Sequence, residues 1–149
     1  MATIHLPPDF KEFFQLLNSY KVNYLVIGGY AVVYHGYPRA TGDIDVWIAI
    51  NPENAKKVFE VVKAFGFNDP DLSEDIFLKE NKVIRMGVPP LRIELVTSIS
   101  GVDFKTCYTN RVVDTIDEVE INFIGLEHLK QNKRASGRHK DLNDLENLP

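Results

Sequence analysis

Cysteine is almost absent from this chain: Cys107 stands alone. No internal disulfide can form, and a reducing, cytoplasmic setting is the expectation. A single cysteine in a predicted helix reads as packing before it reads as a nucleophile. The four histidines, His5, His35, His128 and His139, make no zinc pattern, so none is expected to bind metal. Apolar runs long enough for a membrane span are missing, and the start carries no signal-peptide pattern, so no membrane partner is expected. Excess positive charge is missing too. The chain has 17 Lys and Arg against 21 Asp and Glu, a formal net charge of −4, so any pull on nucleic acid has to be local. Repeats, linkers and low-complexity segments do not occur. What remains is 149 residues, 44% hydrophobic and 26% charged. That composition predicts one globular domain, 1–149, with a sizeable core.

The stretch that organises the chain runs from Gly28 to Asp45. Before it, Tyr24-Leu25-Val26-Ile27 suits a buried strand. Gly28-Gly29 then lets the backbone turn and approach a ligand closely, because neither residue carries a Cβ. Tyr30 to His35 predicts a helix of one or two turns. Its first N–H groups lack intrahelical partners, and such a helix start at Tyr30 is an anion site in waiting. Gly36, Tyr37 and Pro38 end it. Asp43 and Asp45 lie two apart in a predicted strand, 43–50, so both point to one face while Ile44 and Val46 point to the other. Adjacent carboxylates repel and call for a cation, and oxygen-only ligands suit Mg²⁺ or Mn²⁺. Each feature also has a plainer reading: an ordinary turn for the glycines, a solvated strand face for the acids.

Apolar residues at 10, 13, 14 and 17 predict a first helix, started by Pro8 or Asp9. Asn51-Pro52-Glu53 opens another, with Ala55, Val58, Phe59, Val62 and Phe65 on one stripe. Residues 68–74 read as a surface loop. Strands are expected at 82–88 and 91–97, forming a hairpin around Pro89-Pro90. In the second, Arg92, Glu94 and Val96 share one face, and Ile93 and Leu95 the other. Glu94 is therefore an exposed acid paired with Arg92, or a third metal-site carboxylate from a strand beside Asp43 and Asp45, since neighbouring strands lie only about 4.8 Å apart. Residues 102–111 predict a helix, 112–116 and 119–124 short strands, and 126–136 and 138–148 two polar helices separated by Gly137. This last segment gathers Lys130, Lys133, Arg134, Arg138, His139 and Lys140. It is either a solvated helical face or a clamp on phosphates or an RNA backbone.

In order, these residues resemble the nucleotidyltransferase superfamily, with its DNA polymerase β-like fold. That pattern is a Gly-Gly or Gly-Ser pair, a spacer, Asp-x-Asp or Asp-x-Glu, and a third acid on a later strand. Here Gly28-Gly29, thirteen residues, Asp43-Ile44-Asp45 and later Glu94 match it. The chain is more similar still to small bacterial and archaeal proteins related to abortive-infection-type toxin nucleotidyltransferases. Three segments carry that likeness: Arg39-x-Thr41-x-Asp43-Ile44-Asp45, the run Gly87 to Glu94, and the run Asn132 to Asp144.

The resemblance implies an α/β (α+β) architecture, a minimal nucleotidyltransferase fold whose mixed β-sheet is flanked by helices. It implies Asp43, Asp45 and Glu94 as catalytic residues holding Mg²⁺ or Mn²⁺. Gly28, Gly29 and Tyr30 would cradle the triphosphate, and Arg39 and Thr41 would line the nucleotide pocket. Lys133 would face phosphates, with Asp141 or Asp144 as a downstream acid. The implied reaction passes NMP from an NTP, ATP foremost, to a hydroxyl on RNA (tRNA among them), a partner protein or a small molecule, in the setting of a toxin–antitoxin pair. The rival is a catalytically inactive nucleotide-binding or protein-interaction module of the same fold.

Overall fold

The computed structural model describes residues 5–88 and 91–149. The first helix, α1 (Pro8–Ser19), starts at a proline and buries Phe10, Phe13, Phe14 and Leu17, the face its spacing predicts. Strand β1 (Tyr24–Ile27) is buried throughout and runs directly into α2 (Gly28–Tyr34). After a loop come β2 (Ile44–Ile48) and α3 (Pro52–Ala64), whose N-terminus is capped by the Asn51 side chain accepting from the Asn54 N–H. The hairpin β3 (Val83–Val88) and β4 (Leu91–Val96) follows; the proposed Pro89-Pro90 turn lies outside the described residues. Then come α4 (Phe104–Thr109), β5 (Val112–Ile116), β6 (Val119–Phe123), α5 (Leu126–Ser136) and α6 (His139–Asn147).

The described strands form one mixed sheet in the order β3-β4-β2-β1-β6-β5. β1 runs antiparallel to β2 and parallel to β6, while β2 runs parallel to β4. Period-two alternation splits the side chains between two cores. Tyr24, Val26, Ile44, Val46, Ile48, Ile93 and Leu95 join α1 and α3 on one face. Leu25, Ile27 and Trp47 join Ala31, Cys107 and Leu129 on the other. Burial raises the Cys107 thiol to about 11, with Asp103 adding to it, so its chemistry is that of a packing residue. Among the described residues no helix is long and apolar enough to cross a membrane.

Three boundaries depart from the expectation. Asp43 precedes β2 and is not part of it. The helix after β1 begins at Gly28, two residues before Tyr30. At the end of the loop expected at 68–74, Glu74–Leu78 forms a 3-10 turn that buries Phe77 against the first core.

Candidate functional site

The second sheet face is where the acids meet. In the parallel pairing of β2 with β4, Asp45 stands opposite Glu94, so the third acid does come from the adjoining strand. Burial is the main force pushing the Asp45 carboxyl from 3.8 up to about 7. Its hydrogen bond with Glu94 and the charges of Glu94 and Asp43 push the same way, and Lys140 pulls it down. The register puts Glu94 beside Asp45, and Asp43 and Glu94 share one cation between them, so the three acids are neighbours.

Arg92, expected beside Glu94 alone, reaches Asp43 as well. Arg92 Nη2 lies 3.0 Å from Asp43 Oδ2 and 3.0 Å from Glu94 Oε1. Arg85, the register partner of Glu94 across the hairpin, approaches the same Oε1 at 3.3 Å. Among the described residues, no three His, Cys, Asp or Glu side chains surround one metal position ready-made. Glu94 thus pairs with Arg92, as one of its two readings expected, while standing beside Asp45.

The glycines serve the chain's own side chains as well as the cleft. Gly28 has φ +66°, and a Cβ there would run into the Asp45 carboxylate; one at Gly29 would run into Thr41 and approach Arg39. Removing both Cβ atoms lets Asp45, Thr41 and Arg39 close over the start of α2. The Tyr30 side chain turns away from the glycines. Its ring packs edge-on against Phe10 at 5.8 Å in the opposite core, so only its backbone remains on the glycine side.

The C-terminal helices give Lys133 two carboxylate partners. Lys133 is 5% exposed, and its Nζ donates to Asp141 Oδ1 at 2.9 Å and Asp144 Oδ2 at 3.0 Å. An ammonium spent on two buried carboxylates is not a free phosphate ligand. Asp144, 1% exposed, also takes a two-pronged contact from Arg39, Nε to Oδ1 at 2.8 Å and Nη2 to Oδ2 at 2.9 Å. That fork ties the loop carrying Thr41 and Asp43 to α6. Asp141 further accepts from Ser136 and from Arg138 Nε. Burial pushes Asp141 up, but hydrogen bonds from Ser136, Lys133 and Arg138 outweigh it and hold the group at about 2. Lys133, Asp141 and Asp144 therefore form a buried ionic strut, and Lys133 and Asp141 belong to the wall of a cleft. Of the cations that line the cleft, Arg39 and Lys133 are held by these acids, while Arg85, Arg138 and Lys140 are exposed.

The space itself is a cleft of about 750 Å³ between the uncovered face of β3–β4 and the α5–α6 pair. That volume suits a nucleotide-sized ligand. Gly28, Gly29, Asp43, Asp45 and Glu94 line one wall, Ser98 and Ser100 its end, and Ser136, Arg138 and Lys140 the other wall. Sequence reasoning missed Arg85 and all three serines; only the alternation that puts Arg85 on the Glu94 face pointed to it.

Over residues 6–148 the sequence matches a family described as nucleotidyltransferase of unknown function. Two solved structures share the fold. A Thermotoga maritima protein described only as a candidate nucleotidyltransferase superposes with a TM-score of 0.61 at 16% identity, over 91% of this chain and 86% of that one. An antigenic nucleotidyltransferase-like protein from Paracoccidioides brasiliensis gives 0.54 at 18% identity, over 90% and 70%. No curated relative matches.

Proposed function

The chain belongs to this nucleotidyltransferase family, and from that premise we propose that it passes a nucleotidyl group from a nucleoside triphosphate, ATP foremost, to an acceptor hydroxyl bound in the cleft. The observation that carries the proposal is the register pairing of Asp45 with Glu94, beside Gly28 and beneath a rim of cations.

The donor set suits a hard divalent ion: three carboxylates, no sulfur, no imidazole. Asp43, Asp45 and Glu94 would hold Mg²⁺ or Mn²⁺, which when bound supplies charge neutralisation at the attacking and leaving oxygens. The acceptor oxygen bonds to the α-phosphorus, the bond from that phosphorus to the bridging oxygen breaks, and pyrophosphate leaves with it. Glu94 takes the hydroxyl proton. Arg138 and Lys140 meet the phosphates from the α6 side and Arg85 from the sheet side. Arg39 keeps the Thr41–Asp43 loop in place through Asp144. The acceptor classes in play are RNA ends, tRNA among them, a partner protein as in a toxin–antitoxin pair, and small molecules.

Incubation with α-labelled NTPs, Mg²⁺ or Mn²⁺, and cell RNA or lysate tests this. Label on RNA or on protein names the acceptor class. A second reading, a nucleotide-binding module without turnover, is favoured by one observation, the Arg92 bridge across Asp43 and Glu94. Nucleotide binding with no label transferred to any acceptor would select it.

A further inference from the structure

Arg92 and Arg39 both pair with acids of this region, and they do it in different ways. Arg39 grips Asp144 with two nitrogens on two oxygens at 2.8 and 2.9 Å, the planar fork that guanidinium and carboxylate make when a pair is structural. Arg92 makes both of its contacts through the single nitrogen Nη2, at 3.0 Å to each of two different acids. Its Nε is buried with no hydrogen-bond partner. A buried N–H left unsatisfied costs free energy that a better-placed acceptor would return. Arg92 therefore neutralises the cluster without being locked into it.

We infer that Arg92 is a displaceable internal counter-ion: its guanidinium takes the position between Asp43 and Glu94 that a divalent cation needs, so the cation enters only as Arg92 swings out. This rests on Asp43, Asp45 and Glu94 being the cation's ligands. It goes beyond that assignment by making cation entry a competition inside the chain. The bare ion has to displace two charge-assisted contacts, and its affinity is lowered by that amount. A nucleotide triphosphate changes the balance, because its oxygens offer the released guanidinium and its buried Nε–H new acceptors while adding ligands for the ion. Cation and nucleotide then load together, and the metal alone loads poorly.

Arg85 supplies the control. It also contacts Glu94, but at 3.3 Å and from a side chain 56% exposed, so removing it tests loss of positive charge without loss of the bridge. The experiment measures Mn²⁺ affinity by calorimetry or by the spin signal of the free ion, for wild type, Arg92→Gln, Arg92→Met and Arg85→Gln. Each is measured without nucleotide and with a non-hydrolysable ATP analogue, after circular dichroism confirms the fold. Both Arg92 variants should bind Mn²⁺ alone at least about tenfold more tightly than wild type, with Arg85→Gln within about threefold of it. The analogue should tighten Mn²⁺ binding in wild type by about tenfold more than in the Arg92 variants. Equal Mn²⁺ affinity in all four proteins, or an equal gain in Arg85→Gln, overturns the counter-ion inference and leaves the metal assignment standing. Absence of Mn²⁺ binding in all four even with the analogue overturns both.

Discussion

Asp45 and Glu94 stand opposite each other across parallel strands β2 and β4, and burial beside Glu94 lifts the Asp45 carboxyl from 3.8 to about 7. The folded protein therefore keeps a proton that the unfolded chain loses between those values, and folding stability falls as pH rises through that window. Asp45→Asn removes the penalty. In EDTA, the variant should be more stable than wild type at about pH 8, by about 1–2 kcal/mol after discounting for solvent screening. The gap should close below about pH 4. Thermal melts across pH check this. A variant that melts below wild type at the alkaline end would mean Asp45 is a structural partner.

Lys133 carries its charge into the interior, so its loss should be felt in folding first. Lys133→Ala leaves Asp141 and Asp144 buried, each without one of its cationic partners. Unfolding in urea should show a loss of about 3 kcal/mol or more, the scale of breaking a buried ion pair. Unchanged stability with weakened nucleotide binding would return Lys133 to the phosphates.

The same strut sets the acid limit. Asp141 is held at about 2, below its usual 3.8. Its stabilising contribution is complete above about pH 4 and disappears as pH falls toward about 2. Asp141→Asn should destabilise the protein by about 1–2 kcal/mol at neutral pH and flatten the acid limb of the stability curve. Parallel curves for both proteins between about pH 2 and 5 would contradict it.

Gly28 combines φ +66° with a side chain, Asp45, packed where a Cβ would go. Gly28→Ala should cost about 1–3 kcal/mol through backbone strain and displacement of that carboxylate. Gly66 also has positive φ, but open space surrounds its missing Cβ. Gly66→Ala carries the strain alone, and comparing the two in denaturant melts isolates the Asp45 contact. Equal losses would mean that contact contributes nothing.

Local pattern carried most of the fold. The β1 run, the α1 spacing and the alternation around Ile93 and Leu95 each follow from residues a few positions apart, and all three appear as expected. The convergence of Asp45 with Glu94 was legible because strand periodicity fixes their faces. Contacts decided at long range were not legible. Nothing near Lys133 signals that Asp144 would be claimed by both Lys133 and Arg39, the latter 105 positions away. The Arg92 bridge to Asp43 spans 49 positions, and a charged residue beside an acid does not state which acid it pairs with. Phe77 is a lone aromatic in a polar stretch, too little periodicity to announce the 3-10 turn that buries it.

The most direct test of the account is transfer of α-labelled NMP by wild type, Asp43→Asn, Asp45→Asn and Glu94→Gln at equal folded fraction, with Mn²⁺ and cell RNA or lysate. An amide oxygen is a poorer ligand than carboxylate for a hard cation. The account predicts label transfer by wild type, none by the two aspartate variants, and none by Glu94→Gln, although Glu94→Gln still binds NTP. Transfer at the wild-type rate by Asp45→Asn would contradict it.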